Sequence, residues 1–588
     1  MTSEHNARLT ALRATLKARG LDGFAIPRAD EHLGEYVPKS AERLEFVTGF
    51  TGSAGLAIVL AERAAVFSDG RYTLQLEQQT DPAVWERLHI TETKPEDWLA
   101  QHAAGMAIGY DPWLLSADTL ARFASTKMVP TASNPVDEIW TSRPAPPQGP
   151  AVPHPEAFTG ESSAAKRARL AATLREAGQD AAILSDPAAL AWLFNIRGTD
   201  VAFTPVALGF ALLFADATAA LFMPGAKLPP ETRAFLGPDV ALAEREALPE
   251  ALAALSGKTV RYDPASMPVW FKTTLEAAGA KIADGPDPVA LPRALKNATE
   301  QAGARAAHHR DGLAMVRFLA WLAHAAPTGG ETEMSAAAKL LAERSQGQNF
   351  RGESFPAISG AGKHGAIIHY GVTPESNRAI KPNEVYLIDS GGQYLDGTTD
   401  ITRTIWTGPG AAPDAVRDHV TRVLAGHIAL AQMVFPEGVA GAHLDAFARA
   451  ALWQAGLDYD HGTGHGVGAY LSVHEGPAGI SRAAKPVALQ PGMILSNEPG
   501  FYLPGAYGIR LENLVLVQPA EFAPQKRKFL RFETLTLAPF DRALIEAALL
   551  TAPALEWLNA YHARVFAELG PELEPGVRAW LAGATAKI

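Results

Sequence analysis

The chain repeats itself, and that repeat limits its architecture more than any other feature. Residues 8–26 (RLTALRATLKARGLDGFAI) return in altered form as residues 166–184 (KRARLAATLREAGQDAAIL). In each copy an amphipathic helix stops at a glycine, Gly20 or Gly178, and a short apolar strand follows, as helix C-terminus chemistry predicts. A helical patch and an apolar hairpin come next, Ser53 to Ser68 in the first copy and Pro205 to Phe222 in the second. Two copies of such length are too few and too long for a solenoid, so the pattern predicts a duplicated α/β domain. Between them Arg143-Pro-Ala-Pro-Pro-Gln-Gly-Pro-Ala-Val-Pro-His-Pro is too rich in proline for a helix or sheet interior and reads as an extended linker. At 588 residues the chain exceeds what one core supports. The expected division is residues 1–142, a linker at 143–160, a second copy at 161–294, and a third domain at 295–588 with a helical extension from about residue 530.

Composition removes several function classes. There is no cysteine, so disulfides, thiolate nucleophiles and thiolate metal sites are absent, and any metal must be held by oxygen and imidazole. A net charge of −11 argues against a partner recognised by neutralising phosphates, so no nucleic acid is expected. The first 20 residues alternate polar and apolar positions at helical spacing (Leu9, Leu12, Leu16) with no apolar core of an export signal, so a cytoplasmic chain is expected. The most apolar window, Val206 to Met223, is interrupted by Asp216 and reads as two buried strands around a turn, not a membrane span.

Neither copy carries a dense cluster of titratable groups. Arg71, in Phe67-Ser-Asp-Gly-Arg-Tyr-Thr, reads as part of a solvated turn, and both copies read as scaffold or gating domains. From about Leu295 a long helix (Asn297 to about Ala325) and a second from Ser335 precede glycine-rich β sequence. His308 and His309 read as a solvated helix face. His427 and His443, in the helical interval Ala411 to Gly456, lack the acidic or glycine-rich context of a ligand. The apolar spacing around Trp557, Tyr561 and Trp580 reads as a packing surface.

The chemistry concentrates between residues 367 and 513. Glu384 to Thr404 reads as a β-hairpin: the apolar run Val385-Tyr-Leu-Ile ends in Asp389, a glycine-rich turn follows, and a Thr-rich alternating run carries Asp400. One buried aspartate is most often a cap or turn residue. Two facing each other raise each other's pKa unless a cation lies between them. Ile367-Ile-His369-Tyr370 puts a histidine at the end of an apolar strand. His461-Gly-Thr-Gly-His465-Gly-Val-Gly-Ala-Tyr-Leu-Ser-Val-His474-Glu475 packs three histidines among glycines that let backbone approach a ligand. Gly492 to Glu498 is another apolar strand ending in a carboxylate, and Arg510 and Glu512 share a face of the next strand. Glu512 salt-bridged to Arg510 is the plain alternative. Together, four carboxylates and one histidine form an oxygen-rich set suited to two divalent cations, with Mn²⁺ favoured by the carboxylates and Co²⁺ or Zn²⁺ also compatible. Two such ions about 3.5–4 Å apart convert a bridging water to hydroxide near neutral pH, a hydrolytic nucleophile.

The motifs IIHY, YLIDSGGQYLDGTTDITRT, HGTGHGVGAYLSVHEGP, EPGFY and YGIRLENLVLV resemble, in order and separation, those of the Xaa-Pro aminopeptidases (aminopeptidase P) of the pita-bread metallopeptidases. The upstream copies resemble the paired creatinase-like domains of the long, three-domain, cytosolic type. The resemblance implies an α/β (α+β) chain of two creatinase-like domains and a pita-bread catalytic domain, acting as a homodimer on peptides with proline second. It implies that Asp389, Asp400, His465, Glu498 and Glu512 bind two metals, Asp400 and Glu512 bridging both. It further implies that His369 and His474 contact the scissile carbonyl region, that His461 lines the proline pocket, and that Arg510 orients ligands; within such a site Glu498 is the best candidate to shuttle a proton to the proline nitrogen. Phe501 stands where a hydroxyl-bearing aromatic is common, and Leu503-Pro504 where acidic residues often occur. The rival readings are a prolidase limited to Xaa-Pro dipeptides and a metal-free peptide-binding relative, the latter expected to lose ligands that are all present here.

Overall fold

The computed structural model describes residues 2–522 and 527–588. The chain forms two compact units, one of residues 1–156 and 161–290, the other of residues 157–160 and 291–588.

In the first unit, helix Thr2–Ala18 buries Leu9, Leu12 and Leu16, and helix Ser163–Glu176 buries Leu170, Ala171 and Leu174. Gly20 and Gly178 follow these helices with φ of 70° and 67°, a left-handed turn that a side chain disfavours. The repeat extends to topology. The first six-stranded sheet runs Glu86–His89, Ala64–Ser68, Leu56–Leu60, Gly23–Pro27, Ala107–Tyr110, Lys127–Pro130. The second runs Val240–Ala243, Ala219–Phe222, Phe210–Phe214, Ala181–Leu184, Thr259–Tyr262, Lys281–Asp284. Strand order, and which neighbours are parallel, are the same in both. The apolar window Val206 to Met223 contains the antiparallel pair Phe210–Phe214 and Ala219–Phe222, and among the described residues no helix is long and apolar enough to cross a membrane. Arg71 forms a two-point pair with Asp69 in its turn.

The second unit opens with helix Ala298–Ala325, started by a reciprocal cap between Asn297 and Glu300. Its Met315, Phe318 and Leu322 pack on Tyr386, Ile388, Ile401 and Ile405 of a three-stranded antiparallel sheet, Ile358–Ala361, Val385–Ser390 and Ile401–Trp406. Because side chains alternate across a strand, the opposite face of that sheet receives Asp389 and its cross-strand partner Thr402. A four-stranded sheet, Val434–Pro436, Phe529–Thr534, Asn513–Ala520 and Ile494–Asn497, and the two-stranded pairs Gly464–His465 with Gly479–Ile480 and Gly500–Leu503 with Tyr507–Arg510 add the β structure that carries the other site residues. Helices Ala552–Leu569 and Pro575–Ala584 pack their Leu558, Tyr561, Val565 and Leu581 into the core with helix Asp414–Ala431.

Four local expectations are corrected. The hairpin strands do pair, but the turn between them is itself ordered: Gly392–Tyr394 and Gly397–Thr398 form a separate small sheet with Phe350–Glu353. His369 lies in a turn that follows the 3-10 segment Gly362–Ala366, not at a strand end. Glu512 does not share a strand with Arg510; it sits in the break between Tyr507–Arg510 and Asn513–Ala520. His308 is buried, not solvated, and its Nδ1 bonds the Ala304 carbonyl at 2.7 Å, so desolvation lowers its pKa.

Candidate metal centre

Each acidic side chain of the site is delivered by a strand end. Asp389 is the fifth residue of Val385–Ser390, Asp400 immediately precedes Ile401–Trp406, Glu498 follows Ile494–Asn497, and Glu512 occupies the strand break. His465 belongs to the two-residue strand Gly464–His465, which pairs with Gly479–Ile480. A Cβ on Gly464 would lie 2.0 Å from the Ser496 carbonyl oxygen, so only glycine lets this strand approach the one that carries Glu498. The backbone N–H of Glu498 donates to the Thr463 carbonyl at 2.8 Å, and that of His465 to Ser496 Oγ at 2.9 Å, fastening the two segments together.

Ligand-capable atoms of Asp400, His465 and Glu512 all lie within 4.8 Å of one another. Glu498 and Asp389 stand outside this tightest group but border it. His465 Nε2 is 3.3 Å from Glu498 Oε1 and 3.5 Å from Asp400 Oδ2. His465 Nδ1 lies 3.0 Å from the Gly466 carbonyl; an N–H at that position leaves the Nε2 lone pair facing the carboxylates. Asp389 is held by Arg510, whose Nη2 and Nε donate to Oδ2 at 2.6 and 3.2 Å. The Arg510 cation therefore serves Asp389, not Glu512. Thr402 Oγ1 donates to Glu512 Oε2 at 2.7 Å.

The electrostatics of this cluster call for a cation. Burial, then the charges of Asp389 and Glu498, push the Asp400 carboxyl well above the usual carboxylate range. Burial and the charges of Asp400, Glu498 and Asp389 do the same to Glu512. Asp389 Oδ1 and Asp400 Oδ1 are buried without a hydrogen-bond partner, a costly state for a carboxylate unless a cation or proton serves it. An oxygen-rich set with one imidazole and two such orphaned oxygens fits divalent metal binding.

The remaining site histidines lie nearby in different ways. The His474 and His465 rings are 4.3 Å apart, edge to face. His461 Nδ1 is 4.0 Å from Glu498 Oε2, and its Nε2 meets the Tyr502 hydroxyl at 2.8 Å. His369 is half-buried in its turn beside buried Tyr370. Tyr502 supplies a hydroxyl that sequence reasoning sought at Phe501: Arg510 Nη1 donates to it at 2.7 Å, so Asp389, Arg510, Tyr502 and His461 form one chain of contacts. Alternation along Gly500–Leu503 holds the signal, since it turns Phe501 into the core and Tyr502 toward Arg510. Thr402 and Arg403 were likewise missed. Arg403 is buried and donates to the Glu512 carbonyl at 2.6 Å and to Asn513 Oδ1 at 2.8 Å.

The fold and this carboxylate-imidazole cluster define a class, and comparison with known proteins agrees: the chain belongs to metallopeptidase family M24, whose profile matches residues 302–519, with the C-terminal region of peptidase M24 at 528–588. Creatinase/prolidase N-terminal domains match residues 8–139 and 142–300, so the expected creatinase-like and pita-bread architecture holds. Among full-length relatives, Aminopeptidase P1 of Arabidopsis thaliana is 37% identical over 99% of both chains. Xaa-Pro aminopeptidase 2 of Homo sapiens is 38% identical over 96% of this chain and 86% of its own. The crystal structure of X-prolyl aminopeptidase from Caenorhabditis elegans, described as a cytosolic enzyme with a di-nuclear active site, superposes with a TM-score of 0.94 at 32% identity, covering 99% of this chain and 100% of that one.

Proposed function

We propose that the protein is a metal-dependent aminopeptidase that removes the N-terminal residue from peptides with proline in the second position. The observation that carries this reading is the convergence of Asp400, His465 and Glu512 within 4.8 Å, in a chain matched end to end by an Arabidopsis aminopeptidase P. Two divalent ions, held by Asp389, Asp400, His465, Glu498 and Glu512, are supported by the donor set and by the di-nuclear site described for the C. elegans enzyme. The predominance of carboxylates favours Mn²⁺. Such ions supply Lewis acidity and lower the pKa of water.

The chain's own side chains supply the rest. Proline's amide has no hydrogen, so recognition rests on ring shape, and His461, held by Tyr502, is assigned to that pocket. His474, packed on His465, donates to the carbonyl oxygen as charge develops there, a contribution of a few kcal/mol for a preorganised donor. His369 contacts the same region. Glu498 accepts the proton of the attacking water and returns it to the proline nitrogen; Ser496 Oγ, at 3.0 Å, fixes its Oε1. The cytosolic description of the C. elegans enzyme supports a cytoplasmic location, and the family resemblance supports a homodimer.

The test is hydrolysis of an Xaa-Pro-Xaa tripeptide, an Xaa-Pro dipeptide and an Xaa-Ala-Xaa control after chelation and after return of Mn²⁺. Cleavage of the tripeptide before proline, lost on chelation and restored by Mn²⁺, is expected. Full activity after exhaustive metal removal, or turnover of the dipeptide alone, rejects the assignment.

A further inference from the structure

His369 sits in residues 362–384, the link between strands Ile358–Ala361 and Val385–Ser390, which contains one 3-10 segment, Gly362–Ala366, and no other helix or strand. The polar backbone of so irregular a segment needs partners from elsewhere. One buried side chain holds the link at three points, one of them backbone and two of them side chains. Glu333, the first residue of helix Glu333–Arg344, is fully buried, at 0% exposure. Its Oε1 accepts the Ala361 N–H at 2.8 Å and meets His364 Nδ1 at 2.9 Å. Its Oε2 accepts the Tyr370 hydroxyl at 3.0 Å and the Arg378 N–H at 3.3 Å. An ionised carboxylate has about four acceptor positions, and the four partners here are Ala361, at the end of the preceding strand, and His364, Tyr370 and Arg378 within the link. The main chain adds to the grip: Glu333 N–H donates to the Arg378 carbonyl at 3.1 Å, and the Glu333 carbonyl accepts Ser359 Oγ at 2.7 Å.

The contact that matters for chemistry is the one to Tyr370. This residue follows His369 directly, so tying its phenol to Glu333, with Ser376 Oγ a further 2.9 Å contact and the His364 ring 4.7 Å away, fixes the backbone from which His369 projects. We propose that Glu333, acting through Tyr370, is the positioning residue for His369. It is a buried anchor in the helix layer that sets the placement of a histidine on an otherwise irregular loop. This rests on the assignment of His369 to the scissile carbonyl region, and it gives a role to a glutamate that in sequence looks like an ordinary acidic residue at a helix start.

A double-mutant cycle tests it, using Tyr370→Phe and Glu333→Gln alone and combined with His369→Ala, in the Mn²⁺-loaded full chain. Tyr370→Phe keeps the ring and removes only the hydroxyl, so it carries the test if Glu333→Gln fails to fold. A small misplacement of a reacting group costs up to about a hundredfold, and the expected loss in kcat for Tyr370→Phe is about tenfold, with bound metal unchanged. In the His369→Ala background the same change should alter kcat less than about twofold, because residues acting through one another are non-additive. Losses that simply multiply, or loss of metal from Tyr370→Phe, overturn the inference. Amide hydrogen exchange across residues 362–378 provides a readout independent of turnover: faster exchange in Tyr370→Phe is expected, and unchanged protection overturns the inference. If the unmodified chain cleaves no Xaa-Pro peptide, the proposed function fails and the exchange measurement alone decides the role of Glu333.

Discussion

Arg510 donates through Nη2 to Asp389 Oδ2 at 2.6 Å, and Asp389 Oδ1 is left buried without a hydrogen-bond partner. One oxygen is thus committed to a fixed cation of the protein while the other is presented to the cluster. Removing the guanidinium frees the carboxylate to rotate and takes away its charge partner. Groups that orient a metal ligand typically change affinity or activity by about 10–100-fold. Arg510→Met should lower Mn²⁺ occupancy at limiting free metal by that order, measured by equilibrium dialysis and elemental analysis. Arg510→Lys should recover only part of it, since an ammonium cannot serve Asp389 and the Tyr502 hydroxyl in the same planar geometry. Wild-type occupancy in both variants would reject the coupling.

Metal uptake should be strongly pH-dependent. In the metal-free protein the Asp400 and Glu512 carboxyls are raised well above their ordinary values by burial, and then by the charges of neighbouring carboxylates, Asp389 and Glu498 for Asp400, and Asp400, Glu498 and Asp389 for Glu512. The sign follows from linkage: below the ordinary range near pH 4 both forms of the chain are protonated, and as pH rises toward the raised folded values the unfolded chain loses these protons first. The metal-free fold therefore loses stability from these two groups with increasing pH. Metal binding expels the same protons. Calorimetric titrations of the metal-free chain in buffers of different ionisation enthalpy should show proton release on Mn²⁺ addition, and the rise in apparent Tm on adding Mn²⁺ should grow between pH 5 and pH 8. A proton count of zero would remove Asp400 and Glu512 from the ligand set.

What was legible in the sequence is what obeys a local rule. Asp389 and Glu498 stand out because an apolar run ends in a carboxylate, and the glycine spacing around His465 marks a backbone packed close to another. The duplicated sheets were visible because helix stop and strand start recur in register. Residues that act across long sequence distances were not. His427 lies on helix Asp414–Ala431 and is fully buried against Leu511 and Asn513, yet nothing in its neighbourhood separates it from a core histidine. Glu333, Thr402 and Arg403 have partners tens to more than a hundred residues away, and their roles depend on how two sheets and a helix approach. No period of 2 or 3.6 encodes that approach.

Gly464 offers a steric test of the site's construction. With 2.0 Å between a notional Cβ and the Ser496 carbonyl, Gly464→Ala must push apart the strand that carries His465 and the one that leads to Glu498. Strain of this kind from overpacking typically costs about 1–3 kcal/mol. The displacement also changes the His465 to Glu498 distance, so the expected result is a folded protein with lowered Tm and at least tenfold weaker Mn²⁺ binding. Substitution of Gly576, where a Cβ meets nothing within 4 Å, should leave both unchanged. Equal behaviour of the two variants would contradict the packing described.

Acid sensitivity should trace in part to His427, beneath the metal centre. Its ring is fully buried, with Nδ1 3.2 Å from the Leu511 carbonyl and Nε2 3.2 Å from Asn513 Nδ2, an arrangement that suits a neutral imidazole donating from Nδ1 and accepting at Nε2. Burial, reinforced by the nearby Arg403 charge, lowers its pKa to about 3, against about 6.5 in an unfolded chain. Between those values the unfolded chain binds a proton that the folded chain refuses. Stability from this group is therefore complete above about pH 6.5 and is lost as pH falls toward 3, by up to about 1.4 kcal/mol per pH unit. His562, lowered to about 4 by burial and then the Arg403 charge, acts with the same sign over a narrower window. A glutamine at position 427 keeps a donor and an acceptor but does not titrate. His427→Gln should therefore cost some stability at pH 7.5 yet flatten the fall of apparent Tm between pH 6.5 and pH 4.5 relative to the unmodified chain, both measured in the same excess of Mn²⁺. If the two curves run parallel, His427 is not the buried neutral histidine that fastens Leu511 and Asn513 on either side of Glu512, and the acid response must come from the carboxylates alone.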